Sequence, residues 1–255
     1  MYELRIPLLN KEVQDTDIIV GEHKKEWIEM GCSDATLLFN LLDDMVDQVG
    51  EENVIKVITD NASYYVKAGK FLEAKRPHLY WTPCAAHCID LMLEDVGKIP
   101  KVKIALKKAI FVNSFVYGGR TSTVNLLRRF TNQRNLHKLM ITRFATSFIT
   151  LAQFHKHKNN LRKLVTSQEW AGMKWSKEPT TKKVVQFVLQ EIFWRNVMYA
   201  LKLTGSLVKV IKMVDGDKKP TMGYIYETMD RAKEAIANSF GNKEDEYTDA
   251  FEMID

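Results

Sequence analysis

Residues 54–60 read Val54-Ile55-Lys56-Val57-Ile58-Thr59-Asp60, an apolar run that ends in a carboxylate, with Asn61 next and the cluster Cys84-Ala85-Ala86-His87 further on. β-Branched residues bounded by polar ones predict a buried strand. Open α/β sheets carry their chemistry outside the carboxyl ends of such strands. Asp60 therefore stands where a metal or a phosphate would be handled.

Working upstream, Leu37, Leu38, Leu41, Leu42, Met45, Val46 and Val49 repeat at three and four, while Asp43, Asp44, Asp47 and Gln48 take the other face. That spacing predicts an amphipathic helix from Asp34 that Gly50 ends. Residues 1–33 are polar and weakly patterned, with Trp27, Ile28 and Met30 as a late apolar cluster, and predict an arm or a loosely attached helix. Downstream, a helix over Ala62–Ala74 and a second strand over His78–Thr82 complete a parallel βαβ unit. Two strands are a poor sheet by themselves and need helices or a partner to cover them. From Cys84 onward the pattern is helical: 84–96, 101–117, 124–130, 142–163, a long segment over 181–214 bent at Gly205, and a helix opened by Pro220 after a turn at Asp215-Gly216. The expected fold class is α/β with few strands, followed by a mostly α-helical region.

Charge divides the chain more sharply than its overall excess of +5 suggests. Residues 1–97 carry 9 Lys/Arg against 18 Asp/Glu, residues 98–163 carry 15 against none, and residues 164–255 carry 13 against 14. A long stretch without one acidic side chain fits a polyanionic partner, because phosphate neutralisation releases counterions. Its candidate backbone contacts are Lys101, Lys107, Lys108, Arg128, Arg129, Arg134, Lys156 and Lys158, with Lys103, Lys138 and the run His155-Lys156-His157-Lys158 beside them. The same lysines also read as the wet face of an amphipathic helix, although wet faces normally mix signs.

A hydrophobic content of 45 % is enough for a proper core. No run of apolar residues is long enough to span a bilayer, and the amino terminus lacks the pattern of a secretory signal, so no membrane role is expected. Three cysteines, Cys32, Cys84 and Cys88, are an odd number and fit a reducing compartment.

The residues Val57-Ile58-Thr59-Asp60-Asn61-Ala62-Ser63, Trp81-Thr82-Pro83-Cys84-Ala85-Ala86-His87-Cys88-Ile89-Asp90-Leu91 and Thr142-Arg143-Phe144 resemble hAT-superfamily DNA transposases, and most closely the plant-type domesticated members that carry the DUF659 domain. The resemblance runs from residue 34 to the carboxyl terminus. It implies a truncated form of an RNase H-like fold interrupted by a helical insertion: an N-terminal arm over 1–33, a partial α/β core over 34–118, and a helical region over 119–255. It implies a nuclear protein, duplex DNA as a partner, and assembly with related transposase-like chains. In the intact family an Asp-Asp-Glu set holds two Mg²⁺ ions for strand cleavage. By that resemblance Asp60 matches the second Asp, Asn61 follows it, Cys84 and His87 match a Cys/Asp-x-x-His motif, and Arg143 matches an Arg-Trp motif whose Trp is Phe144 here. The opening Asp-x-Trp motif has no counterpart before Asp60, as if the first three strands were missing. The closing Glu belongs to a segment beyond this chain.

Paired magnesium ions sit about 3.5–4 Å apart and need several carboxylates to bridge and flank them. One Asp is too few, so the expectation is a degenerate transposase-like protein that keeps DNA affinity without catalysis and has no cofactor of its own. The rival expectation is an interaction module that covers exposed apolar surface with a longer relative. Asp60 reads equally as a metal ligand and as a cap for the next helix. Asp34 reads as a helix cap. Cys84 and His87 have the spacing of half a zinc site, but four ligands close such a site and Cys88 and His78 are the nearest further candidates. A Cys/His nucleophile pair would lack a third orienting group. The aromatics Trp170, Trp175, Phe187, Phe193, Trp194 and Tyr199 read as core or partner-facing side chains rather than base-stacking ones.

Overall fold

The computed structural model describes residues 2–5, 34–118, 121–131, 144–214 and 224–254. It divides into two compact units, Met1–Cys88 and Ile89–Asp255.

The first unit is built on β2 (Val54–Thr59), the strand expected from the apolar run. Its carboxyl half is covered on both faces, with Val57, Ile58 and Thr59 all buried, which is the habit of a central parallel strand. α1 (Ala35–Val49) precedes it, and the Asp34 side chain caps it by accepting a 2.8 Å hydrogen bond from the Thr36 amide. Gly50 ends it at φ 91°, where a Cβ would lie 2.8 Å from side-chain atoms of Glu52 and Asn53. α2 (Ser63–Lys75) and β3 (Tyr80–Pro83) close the βαβ unit, with β3 parallel to β2 and Thr59 opposite Pro83. Leu38, Leu42 and Val46 of α1 meet Val54, Val57, Ala68, Leu72 and Leu79 in one apolar cluster. Each of the leucine and valine side chains contributes about 1.5–3 kcal/mol when fully buried.

A third strand was not expected. β1 (Tyr2–Arg5) pairs in parallel with β2, giving the sheet order β1-β2-β3, with an irregularity between Tyr2 and Glu3. So the residues read as the start of an arm include a strand, and the sheet does not begin at Val54. Four residues with no alternation carry no strand signal of their own. Their conformation comes from the ladder they share with β2, a partner some fifty positions away. Trp27, Ile28 and Met30 lie outside the described residues.

The second unit is helical. α3 (Ala85–Val96) straddles the division between the units, and α4 (Pro100–Tyr117), α5 (Thr121–Phe130), α6 (Phe144–Lys156), α7 (Lys158–Val165), α8 (Gln168–Ala171), α9 (Pro179–Leu189), α10 (Glu191–Val214), α11 (Ile225–Ser239) and α12 (Thr248–Glu252) follow. α10 is its central element and packs against α4, α6 and α11. Phe193, Trp194, Val197, Ala200, Leu203 and Leu207 of α10 are buried, as are Val102, Ala109 and Val112 of α4 and Phe148, Leu151 and Phe154 of α6. Trp170, Phe193 and Trp194 are thus core side chains.

Two helical segments are divided where the sequence shows no breaker. The expected helix over 142–163 is split at His157, whose amide bonds back to the Gln153 and Phe154 carbonyls and whose ring lies 3.3 Å from the Asn160 amide group. The long segment over 181–214 breaks at Gln190, whose backbone is extended (φ −66°, ψ 122°), and α10 is continuous through Gly205. In a continuous helix the Val188 carbonyl would accept from the amide of residue 192. Here it accepts from the Trp194 indole at 2.8 Å. The turn at 215–216 and the opening at Pro220 lie outside the described residues.

Candidate functional site

All three strands are parallel, so their carboxyl ends share one edge of the sheet. A chain of contacts fixes that edge. Gly69, in the middle of α2, leaves room for the Trp81 ring; a Cβ there would lie 2.3 Å from it. The Trp81 indole donates to Thr59 Oγ1 at 3.0 Å, and Thr59 Oγ1 donates in turn to the Asp60 carbonyl at 3.0 Å. The Cys84 amide donates to the Thr59 carbonyl at 2.7 Å, which sets the start of α3 beside the end of β2. Asp60 and Cys84 are thereby brought together.

Around Asp60, which is partly buried, stand Cys84 and, one helical turn on, Cys88. Burial pushes the Cys88 thiol above its ordinary value, and the charges of Cys84 and Asp60 push it the same way. That shift disfavours the thiolate, the form that attacks as a nucleophile. His87 is partly buried on the first turns of α3, and Asn61 is exposed. Among the described residues no group of three or more His, Cys, Asp or Glu side chains is placed to hold a metal ion.

The densest polar network of this unit lies elsewhere, and the sequence did not reveal it. Arg76, only 4 % exposed, donates Nε to Asp43 at 2.9 Å, Nη2 to Asp47 at 2.7 Å and Nη1 to Glu51 at 2.7 Å. Lys75 also bonds Asp43, and His78 Nδ1 lies 3.4 Å from Glu51. Burial alone would raise the Asp43 pKa, but the hydrogen bonds from Lys75 and Arg76 outweigh it and hold the carboxyl below its usual range. The acidic face of α1 grips the end of α2 through Asp43 and Asp47. The i, i+4 spacing of Asp43, Asp47 and Glu51 was the available signal.

The basic candidates are spread over the second unit, and acidic side chains from later in the chain hold several of them. Lys101 reaches Glu246 at 3.5 Å and lies over the Tyr199 ring at 4.7 Å. Lys108 bonds Gln190 at 2.9 Å and lies over Phe187 at 4.9 Å. Arg129 meets Glu169 at 3.4 Å, while Lys158 and Arg162 share Glu191 at 2.9 and 2.6 Å. Those two cations hold the Glu191 carboxyl at a pKa of about 2. Lys103, Lys107 and Lys156 are exposed, and Arg128 is partly buried. Arg134, Lys138 and Arg143 lie outside the described residues. Asp90, inside the quoted Cys84–Leu91 motif, accepts from the Ala145 amide at 2.9 Å and so caps α6 immediately after the Arg143-Phe144 pair.

The model of one family, a domain of unknown function (DUF659), matches residues 33–112. It covers α1 to most of α4, including β2, Asp60, Cys84 and His87. No curated protein and no solved structure matches the chain.

Proposed function

We propose that this chain is a degenerate hAT-type transposase-derived protein that holds duplex DNA in the nucleus by phosphate contacts and does not cut it. DUF659 occurs in hAT-like transposase-derived proteins, and the matched residues include the Asp60 and Cys84-x-x-His87 positions on which the resemblance rests. The observation that carries the reading is the division of charge between the units. Residues 1–88 hold 9 Lys/Arg against 15 Asp/Glu, whereas residues 89–255 hold 28 against 17, a net +11. A surplus of that sign over one folded unit suits a polyanion.

Among the described residues no group of carboxylates gathers at Asp60 that would fit paired Mg²⁺. Hard cations take oxygen ligands, and the described side chains beside Asp60 include the Cys84 and Cys88 thiols. Purified protein incubated with supercoiled plasmid and Mg²⁺ or Mn²⁺ is expected to retard the plasmid without nicking it. Nicking that disappears in Asp60→Ala would overturn the reading.

A second reading, assembly with a related chain, is favoured by one observation: Leu37 and Phe71, on α1 and α2, are 41 % and 47 % exposed. Strand addition at β3 is not the route. Tyr80, Thr82 and Cys84 turn their amides to β2, leaving Trp81 and Pro83 outward. The Trp81 amide is already taken by Glu73 Oε1 at 2.9 Å, and Pro83 has none to offer.

A further inference from the structure

Residues 164–255 carry 13 Lys/Arg against 14 Asp/Glu, yet the fold separates those charges. Their acids Glu169, Glu191 and Glu246 turn towards Arg129, Lys158, Arg162 and Lys101. Their bases on α10 do not. From Ile192 to Val214 this helix has no Asp or Glu, and its four cations are Arg195, Lys202, Lys209 and Lys212.

Arg195, Lys202 and Lys209 recur every seven residues, and Met198, Gly205 and Lys212 do the same between them. A helix turns by only about 20° less than two full turns over seven residues, so both rows stay on one side. That side is opposite the buried row Phe193, Val197, Ala200, Thr204, Leu207 and Ile211. Arg195, Lys209 and Lys212 are exposed, Met198 is 39 % exposed, and Lys202 is steadied over the Phe240 ring at 4.8 Å. A Cβ built on Gly205 meets nothing within 4 Å, so the middle of the row is open and has no side chain to hold a flat surface away.

We propose that this outward face of α10 is the surface on which the second unit receives a duplex phosphate backbone. The inference rests on the DNA-holding reading above and moves its main contact from the acid-free segment 98–163 to a helix outside it. At 1.5 Å per residue the four cations span roughly 25 Å. One strand of a duplex presents a phosphate about every 3.4 Å, so the row has phosphates to meet along its whole length.

The test is duplex affinity of the full chain measured from about 50 to 200 mM salt. Each phosphate contact contributes roughly 0.9 to the slope of log affinity against log salt. The triple variant Arg195→Gln/Lys209→Gln/Lys212→Gln is expected to flatten that slope by about 2–3. Lys158→Gln/Arg162→Gln, which removes cations already held by Glu191, should leave it nearly unchanged. Gly205→Glu places a carboxylate in the open middle of the row without a clash and should weaken binding at low salt at least about tenfold, whereas Gly205→Gln should not. Wild-type protein with no salt-dependent affinity would overturn the DNA-holding reading and this surface with it. Wild-type binding with unchanged slope in the triple variant and unchanged affinity in Gly205→Glu would overturn the surface alone.

Discussion

The two units use charge in opposite ways. In the first, a guanidinium with 4 % exposure is enclosed by three carboxylates from α1 and the turn after it, and the network ties two helices together. In the second, ion pairs such as Lys158 and Arg162 with Glu191 lie on the surface, where they shape the field more than they stabilise the fold. Buried charge costs a great deal when one partner is removed, and surface charge costs little. One unit therefore uses buried ionisable groups to join its helices, and the other carries its ion pairs near the surface.

The largest effect follows from that contrast. Arg76→Met strands Asp43 in the interior with Lys75 alone, and should lower unfolding stability by about 3–5 kcal/mol in chemical denaturation. A loss near zero would put the two units on the same footing. Because the Asp43 pKa is lowered in the fold, its share of stability is present above the ordinary carboxylate value near 3.8 and fades as pH falls below it towards the depressed one. The Arg76→Met variant should keep only the part of that acid-side fade that Lys75 supports.

Gly69→Ala should follow in size. The new methyl gains up to about 1 kcal/mol of helix propensity but meets the Trp81 ring, and overpacking costs about 1–3 kcal/mol. Net destabilisation with altered near-ultraviolet dichroism of the indole is expected; a stabilised protein would show that Trp81 can yield without disturbing Thr59 and Asp60.

The smallest effect belongs to Glu191→Gln. Glu191 titrates near 2 in the fold against 4.5 ordinarily, so its contribution is complete above 4.5 and disappears as pH falls towards 2. Thermal melts at pH 7 should barely move on Glu191→Gln, and the variant should bind duplex more tightly because Lys158 and Arg162 are released. Weaker binding would mean that Glu191 positions those cations for the partner.

Much of the first unit was legible because its signals are local. The Leu/Val spacing gave α1, Asp34 and Gly50 marked its ends, and the β-branched run gave β2. What escaped was long-range. Tyr2–Arg5 is a strand only through its ladder with β2. Gln190 interrupts a helix because an indole four residues later takes the Val188 carbonyl. Arg76 looked like one more surface cation until Asp43, Asp47 and Glu51 closed on it. Of the site, the Asp60 and Cys84 positions were readable as motifs, while their meeting and the Gly69, Trp81 and Thr59 relay that holds them are a matter of packing. Pairing across the charge blocks is long-range too: Glu246 and Lys101 are 145 positions apart and meet.

The most direct test of the account is a single reaction in which the intact chain meets supercoiled plasmid and Mg²⁺ at low salt and again at high salt. The account predicts retarded, uncut plasmid at low salt and release at high salt, with Asp60→Ala behaving identically. Nicked or linear product that depends on both the metal and Asp60, or retention indifferent to salt, would contradict it.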